Sequence, residues 1–239
     1  MSEWVEYADR SAWAEGVARA CAWAIERGYE HKRPARAALA GGSTPAAVYP
    51  LLFAMRLNWA AVELTVSDER VVSEDDPLSN IGALRRAAAG TLAAAAHIVS
   101  LETLARPEAG AGPLAAGTAA PLGGRPGAGQ VRADGGRYDL IWAGCGEDGH
   151  ALGWFHGPDR AAWEEGSSGV ARVRPDPPPA STGSVPRLTL TRTAAARAHT
   201  IILAATGHPK RAVLETAADK ALPVAHLLSF PQTQVHWAP

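Results

Sequence analysis

Residues 138–150, Tyr-Asp-Leu-Ile-Trp-Ala-Gly-Cys-Gly-Glu-Asp-Gly-His, constrain this chain more than any other stretch. The first half is an apolar run of strand length. The second is a glycine-spaced turn carrying Glu147, Asp148 and His150. A buried strand that empties into such a turn holds polar side chains at its C-terminal end, where open α/β sheets bind ligands.

The rest of the chain alternates in kind. Trp13, Val17, Cys21 and Ala24 fall at helical spacing within 9–27, with Asp9 or Ser11 to cap the start and Gly28 to end it. A strand over 37–40 leads into Gly41-Gly42-Ser43-Thr44-Pro45. There Thr44 suits an N-cap, Pro45 suits the first helical position, and Val48, Leu51, Leu52 and Met55 continue a helix. A strand over 62–67 ends at Asp68-Glu69-Arg70, and a polar loop then reaches Ser79-Asn80 and a helix through Ile81, Leu84 and Ala88. Strands are expected at 97–100, 187–190, 200–205 and 234–237, and helices near 194–198, through Val213, Leu214 and Ala217, and at 223–228. Residues 106–136, rich in Gly, Ala and Pro, read as a flexible insertion with a short helix near 114–120; 174–186 reads as a second loop. Strands alternating with helices predict an α/β fold: a largely parallel, Rossmann-like open sheet with helices on both faces, in one domain over 1–239.

Composition narrows the function classes. A hydrophobic share of 47% supplies a core, and a net charge of −1 gives no reason to expect nucleic acid or an anionic membrane as partner. No basic segment followed by an apolar run opens the chain, and no apolar run reaches membrane-spanning length. The two cysteines, Cys21 and Cys145, have no metal-type spacing, so a reduced cytoplasmic protein is the simpler reading.

Several polar groups fall at strand ends. The Gly42-Ser43-Thr44 loop offers backbone amides to an anion, although alone it reads equally well as an ordinary capped turn. Asp68 and Arg70 can orient a hydroxyl and pair with an anion, and Arg187 and Lys210 add cations; Lys210 follows a strand and a Gly-containing turn. Gly144 to Gly149 also fits G-x-G-x-x-G, the dinucleotide fingerprint. That reading fails because no helix pattern follows the turn and two carboxylates within it would repel a pyrophosphate. His150 has no second ligand at metal spacing, so a general base held by a carboxylate is favoured over a metal ligand. A serine-hydrolase elbow is absent.

Taken together, these segments resemble the 6-phosphogluconolactonase family. The pieces that carry the resemblance are Gly41-Gly42-Ser43-Thr44-Pro45, Asp68-Glu69-Arg70 with Ser79-Asn80, and Gly144-x-Gly146-Glu147-Asp148-Gly149-His150. Arg187-Leu188-Thr189-Leu190-Thr191 and Gly207-x-x-Lys210 complete the set. The resemblance implies a sugar-phosphate isomerase-like fold, hydrolysis of 6-phosphoglucono-δ-lactone to 6-phosphogluconate in the oxidative pentose phosphate pathway, and no metal or other cofactor. It makes His150 the base that activates water and Asp148 the group that orients it. Gly42, Ser43, Thr44, Asp68, Arg70, Arg187 and Lys210 would bind phosphate and lactone oxygens. The implied partner is a small phosphorylated sugar lactone, taken up by a monomer or weak homo-oligomer.

The chain departs from the family's Gly-His-Thr-Ala-Ser-Leu-Phe-Pro-Gly pattern at Ala151, Leu152, Gly153, Trp154 and His156. Two other readings stand beside the lactonase. A glucosamine-6-phosphate deaminase-like isomerase would place a glutamate five residues after the histidine, where this chain has Phe155. A non-catalytic sugar-phosphate-binding protein of the regulator type usually carries a helix-turn-helix, for which residues 1–36 offer about one helix.

Overall fold

A computed structural model describes residues 2–31, 33–42, 44–105, 136–166, 169–178 and 183–239. The Gly/Ala/Pro-rich insertion, with its expected short helix, lies outside the described residues except for Gly136.

Seven parallel strands build the central sheet: β1 (Glu3–Glu6), β2 (Ala35–Leu39), β3 (Val62–Val66), β5 (His97–Ile98), β6 (Leu140–Gly144), β9 (Thr200–Thr206) and β10 (Thr233–Ala238). Their spatial order is β1-β10-β9-β6-β2-β3-β5. From β2 the chain steps outward to β3 and β5. It then returns to β6 beside β2 and steps the other way through β9 and β10. The direction of winding therefore reverses between β2 and β6, so the loops leaving their C-terminal ends part and leave a crevice. Every residue of β2 and β3 is buried, as are the five central residues of β9. Burial of consecutive residues requires both faces of the sheet to be covered.

Helix α1 (Arg10–Gly28) starts at Asp9, whose carboxylate accepts from the Ala12 amide, and buries Trp13, Val17, Cys21 and Ile25. Helices α3 (Asn80–Ala88), α4 (Leu101–Ala105), α5 (Arg160–Glu164), α6 (Arg192–Ala196), α7 (His208–Glu215) and α8 (Val224–Leu228) fill the connections. The helix expected from Thr44 onward is broken in two. A 3-10 turn covers Thr44–Ala47, and the α-helix α2 spans only Tyr49–Phe53 behind an uncapped Val48. Tyr49 nevertheless anchors it, donating its hydroxyl to the Ala40 carbonyl (2.7 Å) and packing edge-on against Trp142.

Asp68–Arg70 does not simply end β3. Ser67 bends the chain, and Asp68–Arg70 forms β4 in a separate antiparallel sheet of order β4-β8-β7, with β8 at Arg187–Leu190 and β7 at Val170–Val173. The strand over 187–190 was expected and is present, but in this smaller sheet. Four strands and α-helices escaped the sequence reading: β1, β7, α4 and α5. Strand β10, expected to close the sheet, is interior, with β1 added outside it.

Candidate active site

Strand β6 delivers its turn into the crevice. The turn is closed by the Gly146 amide donating to the His150 carbonyl (2.8 Å), by the Gly149 amide donating to Gly146, and by a bridge between Cys145 and Ala151. Gly149 holds φ 81°, and a Cβ there would overlap Leu222. Gly146 is needed for a different reason: a Cβ would fall on the facing His150 ring and Asp148 carboxylate.

Those two side chains form a pair, His150 Nδ1 to Asp148 Oδ1 at 2.5 Å. Burial pushes the Asp148 carboxyl up, but the hydrogen bond and charge of His150 outweigh it and hold it below its ordinary value. With Nδ1 engaged, the neutral tautomer that donates to Asp148 leaves Nε2 as the acceptor. Phe155 stacks on the other side of the imidazole with centroids 4.8 Å apart, and its carbonyl accepts from Trp163 Nε1 (3.1 Å). The ring is thus held on one edge and one face.

The cations converge from the small sheet. Register places Arg70 directly opposite Arg187, and Asp68 opposite Thr189. Arg70 donates to the Leu78 carbonyl (3.1 Å) and to Asn80 Oδ1, and Asn80 Nδ2 donates to the Asp68 carbonyl (2.8 Å). Beneath them Glu69, 7% exposed, accepts from the amides of Arg70, Asn80 and Ile81 and from the Ser79 hydroxyl. That carboxylate fixes both the end of β4 and the start of α3, a role the sequence reading did not give it. Burial pushes the Glu69 carboxyl up, and the amide bonds only partly offset this. Arg187 is 2% exposed and donates to the Val185 carbonyl (2.7 Å).

Asp68 links the two halves. Burial raises its carboxyl above the ordinary range, while the charges of Arg70, Arg187 and His150 act to lower it. All three therefore lie within electrostatic reach of one carboxylate. Lys210 sits in the first turn of α7, behind Gly207, which holds φ 88° and accepts from Trp237 Nε1 (3.0 Å). Its charge reaches Cys145, whose thiol burial pushes up to about 12. Gly42 is exposed with φ 90°, a conformation that favours glycine, and Ser43 lies outside the described residues. The expected anion-binding helix start at Thr44 is corrected to the 3-10 turn described above, so the backbone of the Gly42 loop remains but a long helix dipole does not.

The segment that departs from the family pattern docks against β8. Ala151 pairs with Trp154 around Leu152, which takes φ 55°, and Gly153. The Gly153 amide donates to Thr189 Oγ1 (2.9 Å) and Trp154 Nε1 to the Leu190 carbonyl (2.7 Å). A Cβ at Gly153 would come within 2.8 Å of Thr189, so a serine there would have to displace it. Trp154 stacks on Trp163 at 5.0 Å, filling the space behind the turn.

The glucosamine-6-phosphate isomerase/6-phosphogluconolactonase family model matches residues 8–237. A 6-phosphogluconolactonase of Caulobacter vibrioides is 33% identical over 217 residues, covering 84% of this chain and 82% of that protein. One from Neisseria meningitidis is 28% identical over 240 residues, covering 99% and 98%. The crystal structure of a 6-phosphogluconolactonase from Shewanella baltica shares the fold at TM-score 0.79 and 21% identity, over 100% of this chain and 98% of that one. A monomeric glucosamine-6-phosphate deaminase shares it at TM-score 0.65 and 19% identity, over 99% and 97%. With a family match running almost end to end and a named relative at 33% identity, this chain belongs to the glucosamine-6-phosphate isomerase/6-phosphogluconolactonase family.

Proposed function

We propose that the chain hydrolyses 6-phospho-D-glucono-1,5-lactone to 6-phospho-D-gluconate, the lactone-opening step of the oxidative pentose phosphate pathway. The observation that carries this reading is the His150–Asp148 pair set beside a carboxylate, Asp68, that senses His150, Arg70 and Arg187 together. A base and an anion-binding pair in one crevice suit a substrate with an electrophilic carbonyl and a phosphate.

In this mechanism His150 Nε2 takes a proton from water as its oxygen adds to the lactone carbonyl carbon. The tetrahedral intermediate collapses, the bond from that carbon to the ring oxygen breaks, and the proton on His150 passes to the leaving oxygen. Asp148 keeps Nδ1 engaged and stabilises the imidazolium formed in between. Arg70, Arg187, Lys210, Asp68 and the amides of the Gly42–Thr44 loop bind the phosphate and the lactone oxygens. The protein works as a cytoplasmic monomer or weak homo-oligomer on this small molecule; among the described residues no helix is long and apolar enough to cross a membrane. A deaminase reading is disfavoured because the position five residues after the histidine is Phe155, an apolar ring stacked on His150 rather than a carboxylate.

A coupled assay tests the proposal. Freshly made phosphorylated lactone is followed with and without the protein, beside non-phosphorylated gluconolactone. Acceleration restricted to the phosphorylated substrate is expected. Acceleration of neither leaves a sugar-phosphate-binding protein as the better reading.

A further inference from the structure

A second cluster lies at the other end of the same sheet. His31 closes the 3-10 turn Tyr29–His31 that follows α1, Asp139 immediately precedes β6, and His199 immediately precedes β9. All three stand at N-terminal strand ends. Strand β6 separates them from the catalytic turn by roughly 15 Å, at ~3.3 Å per residue. One nitrogen from each imidazole and one oxygen of Asp139 lie within 4.8 Å of one another. The imidazoles stack with centroids 4.4 Å apart, and His31 Nε2 is 3.6 Å from Asp139 Oδ1. A cavity of about 270 Å³ opens onto them, lined in part by Trp23, Arg27, Gly28, His31, Asp139 and His199.

We propose that His31, His199 and Asp139 form a binding site for a divalent transition-metal ion of the Zn²⁺ or Ni²⁺ type. Two imidazole nitrogens and one carboxylate oxygen are the donor set such ions prefer over the all-oxygen sets of Mg²⁺ and Ca²⁺. The carboxylate is already oriented: Asp139, 1% exposed, accepts from Arg33 Nη1 (2.8 Å) and Nη2 (3.0 Å) and from the Arg36 amide (2.8 Å). Ligating carboxylates are commonly held by outer partners in this way. Of those three bonds Oδ1 accepts one, from Arg33 Nη2. Arg33 and Arg137 place positive charge beside the cluster, which the Asp139 carboxylate offsets only in part, so the imidazole bonds must supply most of the affinity. Ligand atoms around a tetrahedral ion at ~2.1 Å stand roughly 3.4 Å apart, so the imidazoles must draw in from within 4.8 Å and turn out of their stacked arrangement until both in-plane lone pairs meet one ion. Both imidazoles lie on the exposed side of the cluster. The cavity leaves room for water in the remaining positions, and the bound ion would tie the end of α1 to the starts of β6 and β9.

The test uses the full chain after chelator treatment, titrated with ZnCl₂ and with NiCl₂ by calorimetry and followed by thermal melting. One ion per chain is expected, with a melting midpoint that rises with ion concentration because only the folded state presents the site. His31→Ala and His199→Ala, both at exposed positions, should melt like wild type without metal and lose both the isotherm and the shift. His150→Ala should keep both. The proposal is overturned if wild type gives no isotherm, or if binding persists in His199→Ala and disappears in His150→Ala, which would move the ion to the catalytic turn.

Discussion

Arg70 on β4 and Arg187 on β8 are directly opposed cross-strand partners, two like charges with one guanidinium almost fully buried. Such pairs cost stability when nothing lies between them. Burial and the Arg70 charge make the Arg187 guanidinium easier to deprotonate than usual, against the pull of Asp68 and Glu69. Arg70 Nε is buried with no hydrogen-bond partner among the described residues. An anion settling on this pair would relieve the repulsion. In the proposed reaction this arginine pair is where the substrate's phosphate would bind.

Losing either arginine should weaken substrate binding more than turnover. A hydrogen bond to a charged group contributes ~1.5–3 kcal/mol, so Arg70→Ala or Arg187→Ala is expected to raise KM for the phosphorylated lactone by about 10–100-fold. Lys210→Ala should act in the same direction. Steady-state kinetics check this, and an unchanged KM in Arg187→Ala would remove the phosphate from this pair.

Asp148→Asn should do the reverse. The amide retains the size of the carboxylate but cannot stabilise the imidazolium, so kcat is expected to fall towards the ~10²–10⁴ contribution of a positioned base, with KM nearly constant. A variant in which KM rises and kcat holds would make Asp148 a substrate ligand instead.

Gly146→Ala tests the geometry without changing the chemistry of either group. The added methyl would occupy the space of the His150 ring and the Asp148 carboxylate. Turnover should drop sharply while circular dichroism and the melting profile stay close to wild type. Full activity would mean that the pair tolerates displacement.

Acid should destabilise the fold through His236. The residue is 3% exposed, its Nδ1 lies 2.8 Å from the Tyr7 hydroxyl, and burial depresses its pKa to about 4 despite the charge of Glu3. An unfolded histidine titrates near ~6.5. The unfolded chain therefore binds the proton first as pH falls, and the stability present above pH ~6.5 is lost towards pH ~4, about 2 kcal/mol of it by pH 5. Urea melts at pH 7 and pH 5 should show wild type losing this much more than His236→Gln. Equal losses would show that His236 does not carry the effect.

The central strands were legible because burial on both faces leaves runs of apolar residues, as in Val62–Val66 and Leu140–Gly144. The turn after β6 was legible because its glycines and acids are contiguous. What escaped was short or non-local. Glu3–Glu6 is a four-residue edge strand specified by pairing with β10, and Asp68–Arg70 is a three-residue polar strand specified by β8, more than a hundred residues away. The opposition of Arg70 and Arg187 is a matter of register, which residue types do not announce. The helix after the Gly42 loop was over-read for the opposite reason. Its apolar spacing at Val48, Leu52 and Met55 is real, but Pro50 has no backbone N–H to continue a helix from the preceding turn, so α2 starts afresh at Tyr49 and covers five residues. Glu69 was passed over because three of its four partners are backbone amides, which leave no mark in the sequence.

The measurement that bears most directly on the account compares kcat for His150→Ala and wild type on freshly prepared 6-phosphogluconolactone, with product affinity recorded for both. Loss of a positioned base predicts a fall in kcat of ~10²–10⁴, with binding of 6-phosphogluconate nearly unchanged. Turnover close to wild type in His150→Ala would contradict the assignment of the general base and, with it, the mechanism built on the Asp148 pair.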